Sequence, residues 1–422
     1  MDDKKGEEKV MRNKISALVY VSLLLCGSVV FAAGGVTYYS DPVKGNSGNP
    51  GSADKPWPAL SEVVKSGKLK SLKGGDTLLL RSGVHGAVTF EGDNAEVVTV
   101  AAEKGQKPQL ARLTLTKGSK WTIRGLIISP SFGTAYDKYI VSLGDGGASK
   151  EITLEDSFIY TTLDTSSWTE KDWMNANSGI NMGRAGVNIT LRNNYVLNTR
   201  FGISLCAPDS LCEGNIISDF SADGLRTTRD GQVVQYNIIK NEYVPQPVDP
   251  NHDDGIQSFL FNKGGGLVSN VTIRGNVIIN QEDPAQKFPA PMQGLGFFDG
   301  PRENFLVEKN VVLVNHYHGI SLYESNNCKI IDNAVYSIWA SKMRPWIKMA
   351  GEKNNPDCVN TVSNNIAFSF MLDKSVKGEN NTKVTAETFK KALNEPLAAI
   401  NSKFGELHET AGRKRMENME IK

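Results

Sequence analysis

From about residue 120 the chain repeats one hydrophobic pattern: a β-rich run, a turn containing Asn, a second β-rich run, a variable loop, then a third run opening on Gly followed by Ile or Leu. The second run reads RNNYVLN, EGNIISD, QYNIIKN, RGNVIIN, EKNVVLVN and IDNAVYS. The third reads SGINMG, FGISLC, DGLRTT, DGIQSF, QGLGFF and HGISLY. Its glycines, Gly179, Gly202, Gly224, Gly255, Gly294 and Gly319, lie 22 to 39 residues apart, so the coil is constant while one loop varies. Short strands stacked turn on turn, with insertions collected on one face, are the mark of a parallel β-helix. A leucine-rich repeat would hold a tighter period and its own Leu frame, and a propeller would show antiparallel hairpins with two-residue turns; the sequence has neither. Asn at the same turn of successive coils predicts side-chain amides hydrogen-bonded along the axis.

The ends differ from the middle. VTYYSDPVKGNSGNPGSADKPWPALSEVVKSGKLKSLKGGDTLLLRSGVHG reads as strand, loop, amphipathic helix and strand, a cap for the open end of a solenoid. After about Asp373 the chain turns charged, strand-poor and helix-prone, which predicts a β-helix domain over 33–375 and a helical C-terminal cap and tail over 376–422. MRNKISALVYVSLLLCGSVVFA, from Met11, has a basic start, an apolar stretch and a small-residue cleavage site at Val30-Phe31-Ala32. Its apolar core is short for a membrane span. Residues 1–32 therefore read as a bacterial Sec export signal with the first ten as an upstream extension, and the mature protein as secreted or periplasmic and free of the membrane.

Charge excludes one class of partner. Lys and Arg number 47 against 46 Asp and Glu, which leaves no field for nucleic acid or an anionic membrane. The mature protein is expected to be a monomer. Four cysteines remain after export, Cys206, Cys212, Cys328 and Cys358, without the close pairs of a zinc site. Cys328 and Cys358 each open a coil, and coils about 4.8 Å apart predict a disulfide between them, against the alternative of two buried thiols.

Alternation along the third run assigns faces. With its glycine as position zero, the next residue (Ile180, Ile203, Leu225, Ile256, Leu295, Ile320) forms the core column. Two after zero stand Asn181, Ser204, Arg226, Gln257, Gly296 and Ser321, facing out; four after zero stand Phe259, Phe298 and Tyr323 on the later coils. Continued backwards, the same alternation turns the residues two before zero outward, among them Arg200 and Asp253. The loops at 161–178, 241–253 and 281–292 enter the run from its start and would wall this stripe, so NHDDGIQSF delivers a His–Asp–Asp cluster onto an exposed face.

The block from NTRFGISL through ADGLRTT to NHDDGIQSF, with the capping sequence above, resembles the right-handed parallel β-helix polysaccharide lyases of the alginate-lyase type, including polysaccharide lyase family 31. The resemblance covers roughly residues 35 to 370. It implies an all-β, right-handed parallel β-helix solenoid that cleaves a uronic-acid-containing polysaccharide, alginate first among them, by β-elimination. That chemistry needs donors or a cation on the uronate carboxylate, a base for the C5 proton and an acid for the departing oxygen. Arg226 and Gln257 are the carboxylate holders, His252 the base, and Tyr323 or Arg200 the acid; Asn181, Asp253, Gln257 and Phe298 would contact substrate. Lyases of this fold often use Lys or Arg as base, and no Lys stands in these columns. No cofactor is required. Calcium is the alternative neutraliser, with Asp223 and Asp254 as its ligands.

Each group also has a plainer role. Asp223 and Asp254 precede Gly and suit turn caps; Arg200 suits a scaffold pair with Asp223; of His316 and His318, at least one is expected to be structural, and Arg229 and Lys263 suit solvated ends of strands. Asp223, Asp253 and Asp254 could instead serve an inverting hydrolase of the polygalacturonase type, of which HYHGIS and MRPWIKMA are distantly reminiscent. C5-epimerisation shares the first lyase step. A non-catalytic sugar-binding solenoid would carry blander columns of Ser, Thr and Asn.

Overall fold

A computed structural model describes residues 34–133, 138–144, 147–245, 248–260, 266–337, 342–353, 355, 357–392, 396, 399 and 402. Residues 1–33, where the export signal is expected, Lys263 and the tail beyond 402 lie outside the described residues. Three parallel strands recur in each coil and build three faces. The site face stacks Tyr139–Leu143, Ser178–Met182, Ile203–Leu205, Leu225–Thr227, Asp254–Phe259, Gln293–Asp299, His318–Asn326, Trp346–Gly351 and Ser369–Leu372. Every named strand pair is parallel, with register shifts between Gln257 and Phe259 and along His318–Ser325, so the chain is a parallel β-helix.

The predicted core column is continuous. Ile180, Ile203, Leu225, Ile256, Leu295 and Ile320 pair in that order and are at most 1% exposed, each contributing about 1.5–3 kcal/mol of burial. The Asn turns form the expected ladder. Asn194, Asn215, Asn237, Asn276, Asn310, Asn333, Asn365 and Asn381 each bond the next, Nδ2 to Oδ1, at 2.9–3.0 Å. The residue before each rung, from Asn193 to Asn380, is left-handed with φ of 51–65°, which supplies the sharp corner between two faces.

Strict alternation fails at the glycines. A Cβ on Gly224 or Gly255 would lie 2.5 Å from Ile239 or Ile278 of the opposite face, so these glycines point inward although the next residue does too. The chain bends there, and only a residue without a side chain fits. In consequence Ala222 and Met292, two before the glycine, are fully buried, while Asp223 and Asp254, just before it, are buried too but lie on the side of Arg226 and Gly296. Gly255→Ala is expected to cost about 1–3 kcal/mol through overpacking, read as a lower denaturant midpoint; an unshifted midpoint would argue against the inward bend.

The caps follow the same economy. Helix Leu60–Lys65 buries Leu60 and Val63 over the first coils, and its Leu60 N–H donates to His85 Nδ1 at 3.0 Å. At the other end the coil runs past 375. Strands Val376–Glu379 and Thr382–Lys383 still pair, before helix Ala386–Ala392 sets Phe389 on Tyr336. The four cysteines are free and buried. Register explains why Cys328 and Cys358 do not bridge: Lys329 pairs with Thr361, so Cys328 faces Asn360, whose Oδ1 accepts its N–H at 3.0 Å, and Cys358 sits two residues off.

Candidate functional site

Two side-chain groups occupy the site face. The first is built by the loop ends and strands around Gly202, Gly224 and Gly255. Arg226 and Asp223 lie on the same side, and Arg226 Nε donates to Asp223 Oδ2 at 2.5 Å. The guanidinium lies over Phe201 at 3.9 Å and faces Phe259 at 5.6 Å, and the side chain stays 27% exposed. Arg200 pairs with Asp249, not with Asp223, at 2.5 Å, and also donates to the Ser221 carbonyl.

Around these two arginines crowd five carboxyls: Asp223, Glu242, Asp249, Asp253 and Asp254. Burial first, and repulsion from neighbouring carboxylates second, make Asp253, Asp254 and Glu242 weaker acids. Asp253 is raised to about 8 and Asp254 and Glu242 rise well above the carboxylate range; Asp223 rises less, because Arg226 opposes the shift. The Gln257 amide lies beside Asp254 and partly offsets the rise, yet neither Asp254 oxygen has a hydrogen bond of good geometry. Gly296 on the next coil makes room for that carboxylate: a Cβ there would overlap Asp254.

The second group lies further along the axis. His318 Nδ1 meets Gln293 Oε1 at 3.0 Å, and the His318 ring contacts Phe298 at 4.8 Å and Trp346 at 5.4 Å. Phe298 contacts Tyr323 at 5.5 Å, and Lys348 Nζ sits over the Tyr323 ring at 4.7 Å. Burial holds His318 down at about 4, so its imidazole is neutral near pH 7. Lys348 was not anticipated. Its strand, Trp346–Gly351, pairs Ser321 with Lys348, so the column two after the glycine continues Arg226, Gln257, Gly296, Ser321, Lys348. The coil carries no glycine at its start, which is why a search keyed on Gly passes over it.

These groups do not form one centre. Arg226 and the Ser321–Tyr323 coil are three coil steps apart, about 14 Å at the inter-strand spacing, so Tyr323 cannot serve as acid opposite Arg226, and Arg200 is a step further away. His252 is exposed on the loop between them, at the mouth of a cavity it shares with His316. Asn181 is half-buried and in register with Ser204, two coil steps from Arg226. Asp253 and Gln257 belong to the first group, Phe298 to the second. As a calcium pair, Asp223 and Asp254 stand on adjacent coils, but Asp223 is already held by Arg226, and the described residues contain no set of three or more His, Cys, Asp or Glu placed to hold a metal ion.

The three long loops do wall the face. Trp173 stacks on Tyr243 at 4.0 Å, Tyr243 bridges to Pro289, and Lys287 Nζ donates to the Trp168 carbonyl at 2.8 Å. Residues of 161–178, 241–245 and 281–292 are thereby tied to one another.

The sequence matches no protein-family profile, and no curated protein matches it. Solved structures do. A GH136 lacto-N-biosidase from Eubacterium ramulus aligns with a TM-score of 0.52 at 14% identity, over 82% of this chain and 68% of its own. A mannuronic acid specific polysaccharide family 6 lyase from human gut microbiota gives 0.47 at 11% identity, over 86% and 94%. Pectate lyase Pel9A gives 0.38 at 13%, over 84% and 82%. At these identities the likeness is one of fold: the chain shares the parallel β-helix with carbohydrate-active enzymes.

Proposed function

We propose that the protein is an exported enzyme that cleaves a uronic-acid-containing polysaccharide by β-elimination. The observation that carries this reading is the outer column Arg226, Gln257, Ser321, Lys348, in register on stacked coils. It sets two cations about 19 Å apart along the axis, a spacing suited to separate carboxylates of one polymer chain. Elimination is assigned to the second group. Lys348 meets the uronate carboxylate as charge develops on it; neutral His318 takes the C5 proton; Tyr323 gives its proton to the departing glycosidic oxygen as the C4–O bond breaks and the C4–C5 double bond forms. Arg226 and Gln257 hold a neighbouring carboxylate.

The assay is direct. With alginate, polyglucuronate and pectate as substrates, ultraviolet absorbance from the new double bond is expected to rise with reducing ends on at least one polymer. Lys348→Ala should lower turnover on that polymer by about a hundredfold, with little change in melting temperature, because the half-buried Lys348 makes one surface cation–π contact worth about 0.5–1 kcal/mol. Hydrolysis is the second reading. Asp253, raised to about 8, is protonated at neutral pH and suits a general acid. Reducing ends without unsaturated product would decide for it.

A further inference from the structure

Beside the site face, under segments 241–253 and 281–292, lies a cavity of about 160 Å³. A cavity of about 150 Å³ suffices to enclose a six-membered carbon ring. Its lining is mixed: Val244, Ala290, Pro291 and Met343 are apolar, and Glu242, Asp253, Gln293 and His316 are polar. Flat C–H faces and a hydroxyl-bearing edge are the two surfaces of a pyranose. Glu242 is 2% exposed and its Oε2 has no hydrogen-bond partner, an arrangement that costs about 1–3 kcal/mol when nothing is bound. Such a group in a cavity wall is an unfilled contact.

Charge narrows the ligand. Among the described residues, no Lys or Arg lines the cavity. Glu242 already feels Asp253, Asp254, Asp223 and Asp249, and the arginines nearby are committed to Asp223 and Asp249. Asp253 keeps its proton near neutral pH, and with no Lys or Arg in the lining a sugar carboxylate would be buried here without a cation to offset its lost hydration. We infer that this cavity is a subsite for a neutral pyranose ring, recognised through its hydroxyls by Glu242 and Asp253 and through its C–H face by Val244 and Pro291. The inference rests on the polysaccharide reading and extends it: the polymer carries a neutral ring close to the uronate that is cleaved, as a mixed heteropolysaccharide does and a pure polyuronate does not.

Binding of single sugars tests this without turnover. D-glucose, D-galactose and D-mannose, each beside its own uronate, are titrated into the protein near neutral pH and followed by saturation-transfer NMR. At least one neutral hexose should bind, about tenfold or more tighter than its uronate, whose charge would be buried without a cation. Glu242→Gln, which keeps the hydrogen-bonding edge, should stay close to the parent. Glu242→Leu should lose about tenfold or more in affinity, the usual order for a missing polar contact. No neutral hexose bound, a uronate bound as tightly, or unchanged affinity in folded Glu242→Leu would each overturn the subsite. The comparison within the parent protein stands even if Glu242→Leu does not fold. A protein that makes unsaturated product from a polyuronate yet binds no neutral hexose loses this inference and keeps the proposed function; neutral-hexose binding without unsaturated product does the reverse.

Discussion

Arg226→Ala is expected to lose about a hundredfold or more in kcat/KM and, in the same variant, on the order of 3 kcal/mol of stability. The two losses have different causes. Activity falls because the guanidinium, part-exposed on the site face, no longer holds a substrate carboxylate. Stability falls because Asp223, only 2% exposed, loses the partner at 2.5 Å that offsets its burial, and must stay charged unpaired or take up a proton. An outer-face position alone would leave stability nearly untouched, and the ion pair is what changes that expectation. A double variant separates the effects. Asp223→Ala added to Arg226→Ala should recover most of the stability and none of the activity, measured as denaturant midpoint and initial rate. If the double variant regains activity, Arg226 only serves to neutralise Asp223.

Asp254→Asn should make the protein more stable at pH 8 and should change it little near pH 4. Asp254 is fully buried, neither oxygen is bonded, and burial followed by Asp223 and Asp253 raises it well above the ordinary value. A carboxyl raised in the folded state holds its proton there while the unfolded chain releases it. The folded state therefore binds more protons between the unfolded value near 3.8 and the raised one, and stability declines as pH climbs through that window. Asp253, raised from 3.8 to about 8, adds a loss of the same sign over pH 4–8. Melting temperatures of parent and variant across pH 4–8 read the difference directly. A variant curve parallel to the parent's would mean that Asp254 does not change its proton binding on folding.

The solenoid is legible in the sequence because its two repeating demands are local. Each coil needs a residue-sized gap followed by an aliphatic, as at Gly255-Ile256, and a left-handed corner followed by a ladder amide, as at Gly275-Asn276. The walling loops are legible from their lengths. What the sequence hides is the bend at the glycine, a matter of how Gly224 packs on Ile239 across the core. That bend exchanges the positions one and two before the glycine, turns Ala222 and Met292 inward and puts Asp223 and Asp254, buried too, on the side of Arg226 and Gly296. Lys348 is hidden for the complementary reason: Ile347 keeps the core column, but Trp346 stands where the glycine signal would be. Distance along the axis is the last loss, since a column written side by side does not reveal that Tyr323 and Arg226 are coils apart.

The amide ladder also limits how this chain can change length. Each rung both donates to the next coil and accepts from the one before, as Asn237 does between Asn215 and Asn276. Removing a whole coil rejoins two equivalent rungs and leaves every amide satisfied. Removing part of one strands a buried Nδ2 or Oδ1, at about 1–3 kcal/mol for each unmatched group, and shifts the aliphatic column out of register. Deletions and duplications should therefore be tolerated in units of a full turn, or at the loop corner between the second and third runs. Circularly permuted or shortened versions cut elsewhere would begin life with an open ladder inside the core.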